Sequence, residues 1–174
     1  MKYKIPEQIE TERLILRYLL EKDWKDLFEY YSDELCMKFT AGRALTDWET
    51  WRSLATMVGH WQLRGYGPYA VVEKEGGRVL GPVGMWFPLE WPEPEIKWGL
   101  ARKEWGKGYA SEAALAVRKM AGDYLPDLQL ISLIAADNKA SIKVATSIGA
   151  VYEKDVPFRD GSDIGLYRHL HSTE

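Results

Sequence analysis

The segment that most constrains the fold is Glu95–Glu112. Its first part follows turn-forming prolines and is predicted to be a β-strand, and an alanine-rich stretch from Tyr109 is predicted to be a helix. Two glycines one residue apart, Gly106 and Gly108, lie between them. A strand, a glycine turn and a helix in succession present free main-chain N–H groups and a positive helix end to an anion. The pattern predicts an anion-binding loop, and a simple tight turn is the alternative.

Two familiar phosphate-binding patterns do not fit this loop. Gly106-Lys107-Gly108 lacks the Ser or Thr that follows Gly-Lys in a P-loop, and the third glycine of G-x-G-x-x-G is missing. Lys107 nevertheless places a positive charge inside the turn. The residues therefore favour an anion site of another kind.

The rest of the chain alternates between strand and helix patterns. Strands are predicted at residues 13–18, 69–72, 79–87, 95–101, 129–135, 151–156 and 164–169. Helices are predicted after residues 23 and 46, at 109–122 and at 138–148. This order indicates an α/β or α+β fold with a mixed sheet and helices on both faces. No linker or repeat interrupts it, so residues 1–174 are expected to form one domain.

Two local features of the sequence make specific predictions. Thr46 and Glu49 have the spacing of a capping box, in which each side chain bonds the main-chain N–H of the other residue. Pro82 cannot donate to a strand ladder, so the strand that contains it is expected to have an edge position or a bulge there.

Composition excludes several classes of protein. The 23 basic and 26 acidic residues give a net charge of −3, which argues against nucleic acid held by bulk charge. The single cysteine, Cys36, excludes an internal disulfide framework. No apolar run approaches a membrane span and no secretory signal is visible, so we expect a cytoplasmic protein without a membrane partner. His169 and His171 are interpreted as tail histidines rather than zinc ligands, and no metal site is expected.

Eight tryptophans are the unusual feature of the composition. Large amphipathic rings suit a core and the wall of a cleft. A stacking platform for single-stranded nucleic acid is the alternative, but few Lys or Arg residues are interleaved with the rings.

Residues 105–113, WGKGYASEA, resemble the acetyl-CoA loop of the GNAT superfamily of N-acetyltransferases, whose pattern is Gln/Arg-x-x-Gly-x-Gly/Ala. Residues 9–17, 81–84 and 138–149 are similar to further segments of the branch that includes the ribosomal-protein N-terminal alanine acetyltransferases. The resemblance implies the GNAT fold, with a mixed, mostly antiparallel sheet of about seven strands. It also implies a splay between the fourth and fifth strands that admits the pantetheine arm.

The resemblance implies direct transfer of an acetyl group from acetyl-CoA to a primary amine through a ternary complex, without a metal. The acceptor is then a protein N-terminal α-amine or a small molecule, and the enzyme is a monomer or a homodimer. Two departures from the family pattern stand out, at Trp105 and Ala145. Many relatives have Gln or Arg at the first position, and at the second a tyrosine that protonates the departing thiolate. The implied cofactor-binding residues are Gly99, Leu100, Ala101, Trp105, Gly106, Lys107, Gly108, Tyr109, Ala110 and Asn138.

Glu95 is the preferred candidate for the base that takes a proton from the amine, ahead of Glu90 and Glu93 in turn-like sequence. Its alternative is a solvated glutamate at the start of a strand. Ser141 could reach the thioester sulfur or a water, or could be a neutral helix residue. Asn138 could contact pantetheine or only cap the helix. The oxyanion donor is expected to be a main-chain N–H near Gly99 and Leu100.

Two other functions remain open at the level of sequence. A non-catalytic acyl-CoA-binding or sensing module would keep the loop and lose the acid–base pair, and Ala145 supports it. A nucleotide-binding protein of another fold would bind ATP more tightly than CoA.

Overall fold

The computed structural model describes residues 2–158 and 161–170. Within them one mixed sheet of eight strands carries five α-helices. The strands are β1 (Gln8–Glu10), β2 (Leu14–Arg17), β3 (Pro68–Glu73), β4 (Val79–Trp86), β5 (Glu95–Trp98), β6 (Leu130–Ile134), β7 (Ala150–Pro157) and β8 (Asp163–His169). The helices are α1 (Trp24–Tyr31), α2 (Glu34–Met37), α3 (Asp47–Arg64), α4 (Tyr109–Tyr124) and α5 (Lys139–Ser147).

The sheet has a single parallel junction, between β5 and β6, in the part of the chain that is described. The strand order is β1-β2-β3-β4-β5-β6-β8-β7, and every other neighbouring pair is antiparallel. The register of β5 with β6 consists of one pair, Glu95 with Ile131. Beyond that pair the two strands separate. The predicted splay between the fourth and fifth predicted strands is thus confirmed at this junction.

Helices cover both faces of the sheet, as predicted. On one face α4 packs against β4 and β5, where Ala113, Ala114 and Val117 are fully buried. On the other face α1 packs against α3 and β4, and Leu27 and Met57 lie in that core. Removing such side chains from water is the main source of stability for both layers.

The local predictions for α3 and β4 are confirmed. Thr46 caps α3 and forms the full capping box with Glu49, and α3 ends at Gly65 with φ of 81°. Pro82 lies in an interior strand rather than at an edge, and the register of β3 with β4 shifts two residues before it, at Leu80. A bulge is therefore present close to the proline.

The sequence reading missed one strand and one short helix. The three residues of β1 are partly exposed and have no strong alternation, so only their pairing with β2 defines them. The helix α2 has four residues and depends on Asp33, whose side chain accepts the main-chain N–H groups of Leu35 and Cys36. The strand that begins at Glu95 ends at Trp98 instead of Ala101.

The tryptophans have several different environments. Trp61 is fully buried, and its indole donates to the Pro68 carbonyl at 2.7 Å. Trp48 and Trp51 are exposed on α3 and stack on each other, with ring centroids 5.7 Å apart. Only some of the tryptophans therefore lie in the core, as the sequence predicts. Among the described residues no helix has the length and apolar character needed to cross a membrane.

Candidate active site

The glycine loop connects β5 to α4 in the conformation that the sequence indicates. After β5 the chain makes one short 3₁₀ turn at Arg102–Glu104 and then reaches Gly106 and Gly108, whose φ angles are 77° and 82°. A side chain is disfavoured in this left-handed region, which explains the need for glycine at both positions. The helix α4 begins at Tyr109, directly after the second glycine.

The loop presents its main-chain amides to solvent. Gly106, Lys107 and Gly108 are exposed, and a Cβ built on Gly106 meets no atom within 4 Å. The first bond of the helix runs from the Glu112 amide to the Gly108 carbonyl, so the amides that precede Glu112 are those a helix leaves without internal partners. The Trp105 amide is different, because it donates to the Arg102 carbonyl. This open turn at a helix N-terminus fits a diphosphate group.

Lys107 does not extend freely from the turn. Its ammonium lies 2.8 Å from the carboxylate of Glu104, which is 1% exposed and also accepts from Arg78 at 3.1 Å. Burial acts to raise the pKa of Glu104, but the hydrogen bonds from Lys107 and Arg78 outweigh it and lower the pKa. Glu104 therefore remains ionised and holds the base of the loop.

Arg13 belongs to the loop, and the sequence reading missed it. Its guanidinium lies over the Tyr109 ring at 4.4 Å, donates to the Lys107 carbonyl at 2.9 Å and pairs with Glu112. Thr11 also donates to Glu112, at 2.6 Å, which fixes the start of β2 against α4. The sequence offers no signal for this contact, because almost a hundred residues separate the partners.

The direction of the amides in β5 corrects one prediction. The Gly99 amide donates to the Pro82 carbonyl at 3.0 Å and the Ala101 amide to the Leu80 carbonyl at 2.8 Å. Since successive amides of a strand point to opposite sides, Trp98 and Leu100 direct theirs toward the splay. Gly99 is therefore excluded as the oxyanion donor, because its N–H is bound to β4. Leu100 remains a candidate for the oxyanion donor, because its amide points away from β4.

Glu95 lies at the point where β5 and β6 separate. Its side chain is 8% exposed, and the Leu133 amide of β6 lies 3.4 Å from its carboxylate. Burial raises the pKa of Glu95, while the charge of Lys97 and hydrogen bonds from Leu133 and Trp91 act against that increase. The alternative of a solvated glutamate is therefore wrong. A carboxylate with a raised pKa at a gap in the sheet is a suitable proton acceptor.

The other two acidic candidates of this region have different surroundings. Glu93 forms a two-pronged ion pair with Arg168 of the interior strand β8 at 2.5 and 2.9 Å, which holds its carboxylate there. Glu90 lies in the preceding turn with φ of 73° and lines a cavity.

Asn138 and Ser141 lie on the opposite side of the splay, at the start of α5. The Asn138 side chain accepts the Ser141 amide at 3.2 Å, so Asn138 is the helix N-cap. The Ser141 hydroxyl accepts from the Trp98 indole of β5 at 3.3 Å. Ala145, one turn later, is fully buried in a small cluster with Ile134 and provides no hydroxyl. The serine is thus the polar group that α5 directs toward β5.

His169 is a core residue rather than a tail histidine, so that interpretation is wrong. Its side chain is 3% exposed and its Nε2 lies 2.9 Å from the Ser132 hydroxyl. His171 lies outside the described residues. Within the described ranges no group of three His, Cys, Asp or Glu side chains has a metal-binding arrangement.

The fold and the loop can now be compared with known proteins. Residues 13–151 match the family model described as an acetyltransferase (GNAT) domain. The chain belongs to the GNAT acetyltransferase family. Among curated proteins, the uncharacterized N-acetyltransferase p20 of Bacillus licheniformis is 31% identical over 88% of this chain and 86% of its own. This GNAT chain is therefore an enzyme, an acetyltransferase.

Solved structures agree with the family assignment. The acetyltransferase from Agrobacterium tumefaciens C58 is 30% identical, covers 95% of both chains and superimposes with a TM-score of 0.83. The ribosomal L7/L12 α-N-protein acetyltransferase, solved in complex with coenzyme A, shares the fold with a TM-score of 0.72. It is 18% identical, over 95% of this chain and 97% of its own. The suspected branch is thus represented among the structural neighbours.

Proposed function

We propose that this enzyme transfers an acetyl group from acetyl-CoA directly to a primary amine, with both substrates bound together. The observation that carries the proposal is the open loop at Gly106 and Gly108, which presents main-chain amides at the end of the strand bordering the splay. The complex of coenzyme A with the structurally similar ribosomal-protein acetyltransferase supports the same cosubstrate here.

Two groups of residues bind acetyl-CoA, one at its diphosphate and the other at its thioester carbonyl. The amides of Gly106 to Ala110 bind the diphosphate, and Arg13 and Lys107 add positive charge beside it. The Trp98 and Leu100 amides face the gap and hold the thioester carbonyl, which becomes negatively charged during transfer. Acetyl-CoA supplies the activated acyl group in this arrangement.

Glu95 receives a proton from the amine. A lysine-type amine has a pKa of about 10.4 and an α-amine one of about 7.7–8.0, so the neutral nucleophile is scarce near neutral pH. Because burial raises the pKa of Glu95, its carboxylate accepts a proton more readily than an exposed glutamate does. A water can connect the two groups.

Ser141 acts on the leaving group, which is the CoA sulfur. Its hydroxyl accepts from Trp98 and so has its own proton free to donate toward the sulfur or a bound water. This role replaces the tyrosine that is absent at Ala145. Asn138 acts through Ser141, since its side chain fixes the first turn of α5.

Steady-state acetyl transfer to a panel of primary amines tests the proposal. Glu95→Gln should lower kcat by about 10²-fold or more, the usual range for loss of a general base, and leave acetyl-CoA binding unchanged. Glu75→Gln, in the exposed β3–β4 turn, is the matched control and should resemble the wild type. Equal kcat for Glu95→Gln and the wild type would exclude Glu95 as the base. Tight acetyl-CoA binding without turnover on any amine would favour the non-catalytic module.

A further inference from the structure

A cavity of about 210 Å³ lies beside Glu95, on the side of β6 that faces away from α5. The turn before β5, the strand β6 and the end of β7 form its walls. Its lining residues are Glu90, Trp91, Pro92, Leu133, Val156, Pro157 and Phe158.

The cavity and the proposed base share two residues. The amide of Leu133 lies 3.4 Å from the Glu95 carboxylate, while the same residue lines the cavity. Trp91 is also a lining residue, and its side chain acts to lower the pKa of Glu95. Leu133 lies two residues beyond Ile131, the last residue of β6 that is paired with β5. The cavity therefore adjoins the splay at the level of the proposed base.

The walls of the cavity are predominantly apolar. Trp91 and Phe158 meet edge to face with their ring centroids 5.6 Å apart, an arrangement that can accept a further ring. Among the described residues of the lining, Glu90 is the one that carries a charge, and it is acidic like Glu95. A protein cavity of about 150 Å³ can hold benzene, so this volume suits one ring or one branched aliphatic group.

We infer that the acceptor of this enzyme is a primary amine carried on a bulky apolar group, an aromatic ring or branched chain, which occupies this cavity. The inference rests on the proposed function. The apolar group enters between Trp91 and Val156, and the amine remains near the two carboxylates. Glu95 takes a proton from the amine, and the new C–N bond forms as the thioester C–S bond breaks. The CoA sulfur leaves with a proton from Ser141 or a bound water, and the proton on Glu95 passes to solvent, which restores the donor.

Such an amine has two sources, and the experiment separates them. Initial rates are measured with phenethylamine and ethylamine, and with the peptides Phe-Ala-Ala-amide and Ala-Ala-Ala-amide. The wild type should prefer the phenyl-bearing member of at least one pair by about 30-fold in kcat/KM, because the ring leaves water only in that member. Preference within the first pair indicates a small molecule, and preference within the second a peptide N-terminus.

Two variants of β7 link the preference to the cavity. Val156→Phe fills it and should remove the preference by raising KM about tenfold or more for the phenyl-bearing amine, with the KM for acetyl-CoA unchanged. Val151→Phe is the matched control, since Val151 is exposed on the same strand and does not line the cavity. Calorimetric binding of phenethylamine gives a readout that does not require turnover.

The failures of the two proposals are distinguishable. Turnover of all four amines without preference, or equal effects of Val156→Phe on every amine, overturns the inference and leaves acetyl transfer intact. Binding of phenethylamine that Val156→Phe abolishes, without turnover of any amine, supports the cavity and contradicts the proposed function. Absence of both binding and turnover overturns the inference as well.

Discussion

The buried histidine of β8 makes the most quantitative prediction for stability. The Ser132 hydroxyl donates to the Ile96 carbonyl at 2.7 Å, so its only hydrogen is committed to β5. The Nε2–H of His169 must therefore be the donor in its 2.9 Å contact with that hydroxyl. The other ring nitrogen, Nδ1, is buried without a partner among the described residues. A proton there would place a charge and an unsatisfied donor inside the protein.

These surroundings lower the pKa of His169 from its ordinary 6.5 to about 4, first through burial and second through the charge of Arg118. The unfolded chain binds a proton below about pH 6.5, whereas the folded protein resists it until about pH 4. The free energy of unfolding therefore decreases as the pH falls through this interval. One pKa unit corresponds to about 1.4 kcal/mol, so the loss is about 3 kcal/mol.

Urea unfolding of the wild type and of His169→Gln at several pH values between about 7 and 4 measures this loss. The glutamine amide can donate to Ser132 but does not titrate, and the remaining titratable groups are common to both proteins. The difference in unfolding free energy between the two proteins should shift by about 3 kcal/mol in favour of the variant across that range. Parallel pH profiles would refute the assignment of His169 as a buried neutral histidine.

Two further predictions concern a contact of α1 and the first turn of α3. A Cβ at Gly99 would collide with the buried Tyr30 hydroxyl, so Gly99→Ala should destabilise the protein by about 1–3 kcal/mol in thermal unfolding. An unchanged Tm would show that the tyrosine moves aside without cost. The Arg43 guanidinium lowers the pKa of Glu49 to about 2, so the stability advantage of the wild type over Glu49→Gln should be present above about pH 4.5 and disappear near pH 2. A stability advantage of the wild type that persists near pH 2 would contradict the lowered pKa of Glu49.

The elements with strong local signals were predictable from the sequence. The capping residues Thr46 and Asn138 and the turn at Gly106 depend on their immediate neighbours, so their patterns locate α3, α5 and the loop before α4. The strand β1 was not predictable, because its three residues acquire their structure only by pairing with β2. The splay between β5 and β6 was predicted from the family resemblance rather than from periodicity.

The site was predictable to a smaller extent. The loop glycines and Glu95 follow from their positions along the chain, but the surroundings of Glu95 depend on β6, whose Leu133 amide lies 3.4 Å from its carboxylate. Arg13 reaches the loop only after the sheet has formed. The direction of the Gly99 amide follows from its pairing with β4, which no pattern in β5 reveals. Long-range contacts determine all three.

Calorimetric titration of acetyl-CoA into the wild type, Gly106→Asp and Gly77→Asp tests the anion-binding loop most directly. Both glycines have a left-handed φ, 77° and 65°, and a Cβ at either position meets no atom within 4 Å. The two variants therefore carry a similar backbone strain and the same added charge, but only Gly106 lies in the loop. Gly106→Asp should lose acetyl-CoA binding, whereas Gly77→Asp should bind like the wild type. Wild-type affinity in Gly106→Asp would contradict the loop as the diphosphate site.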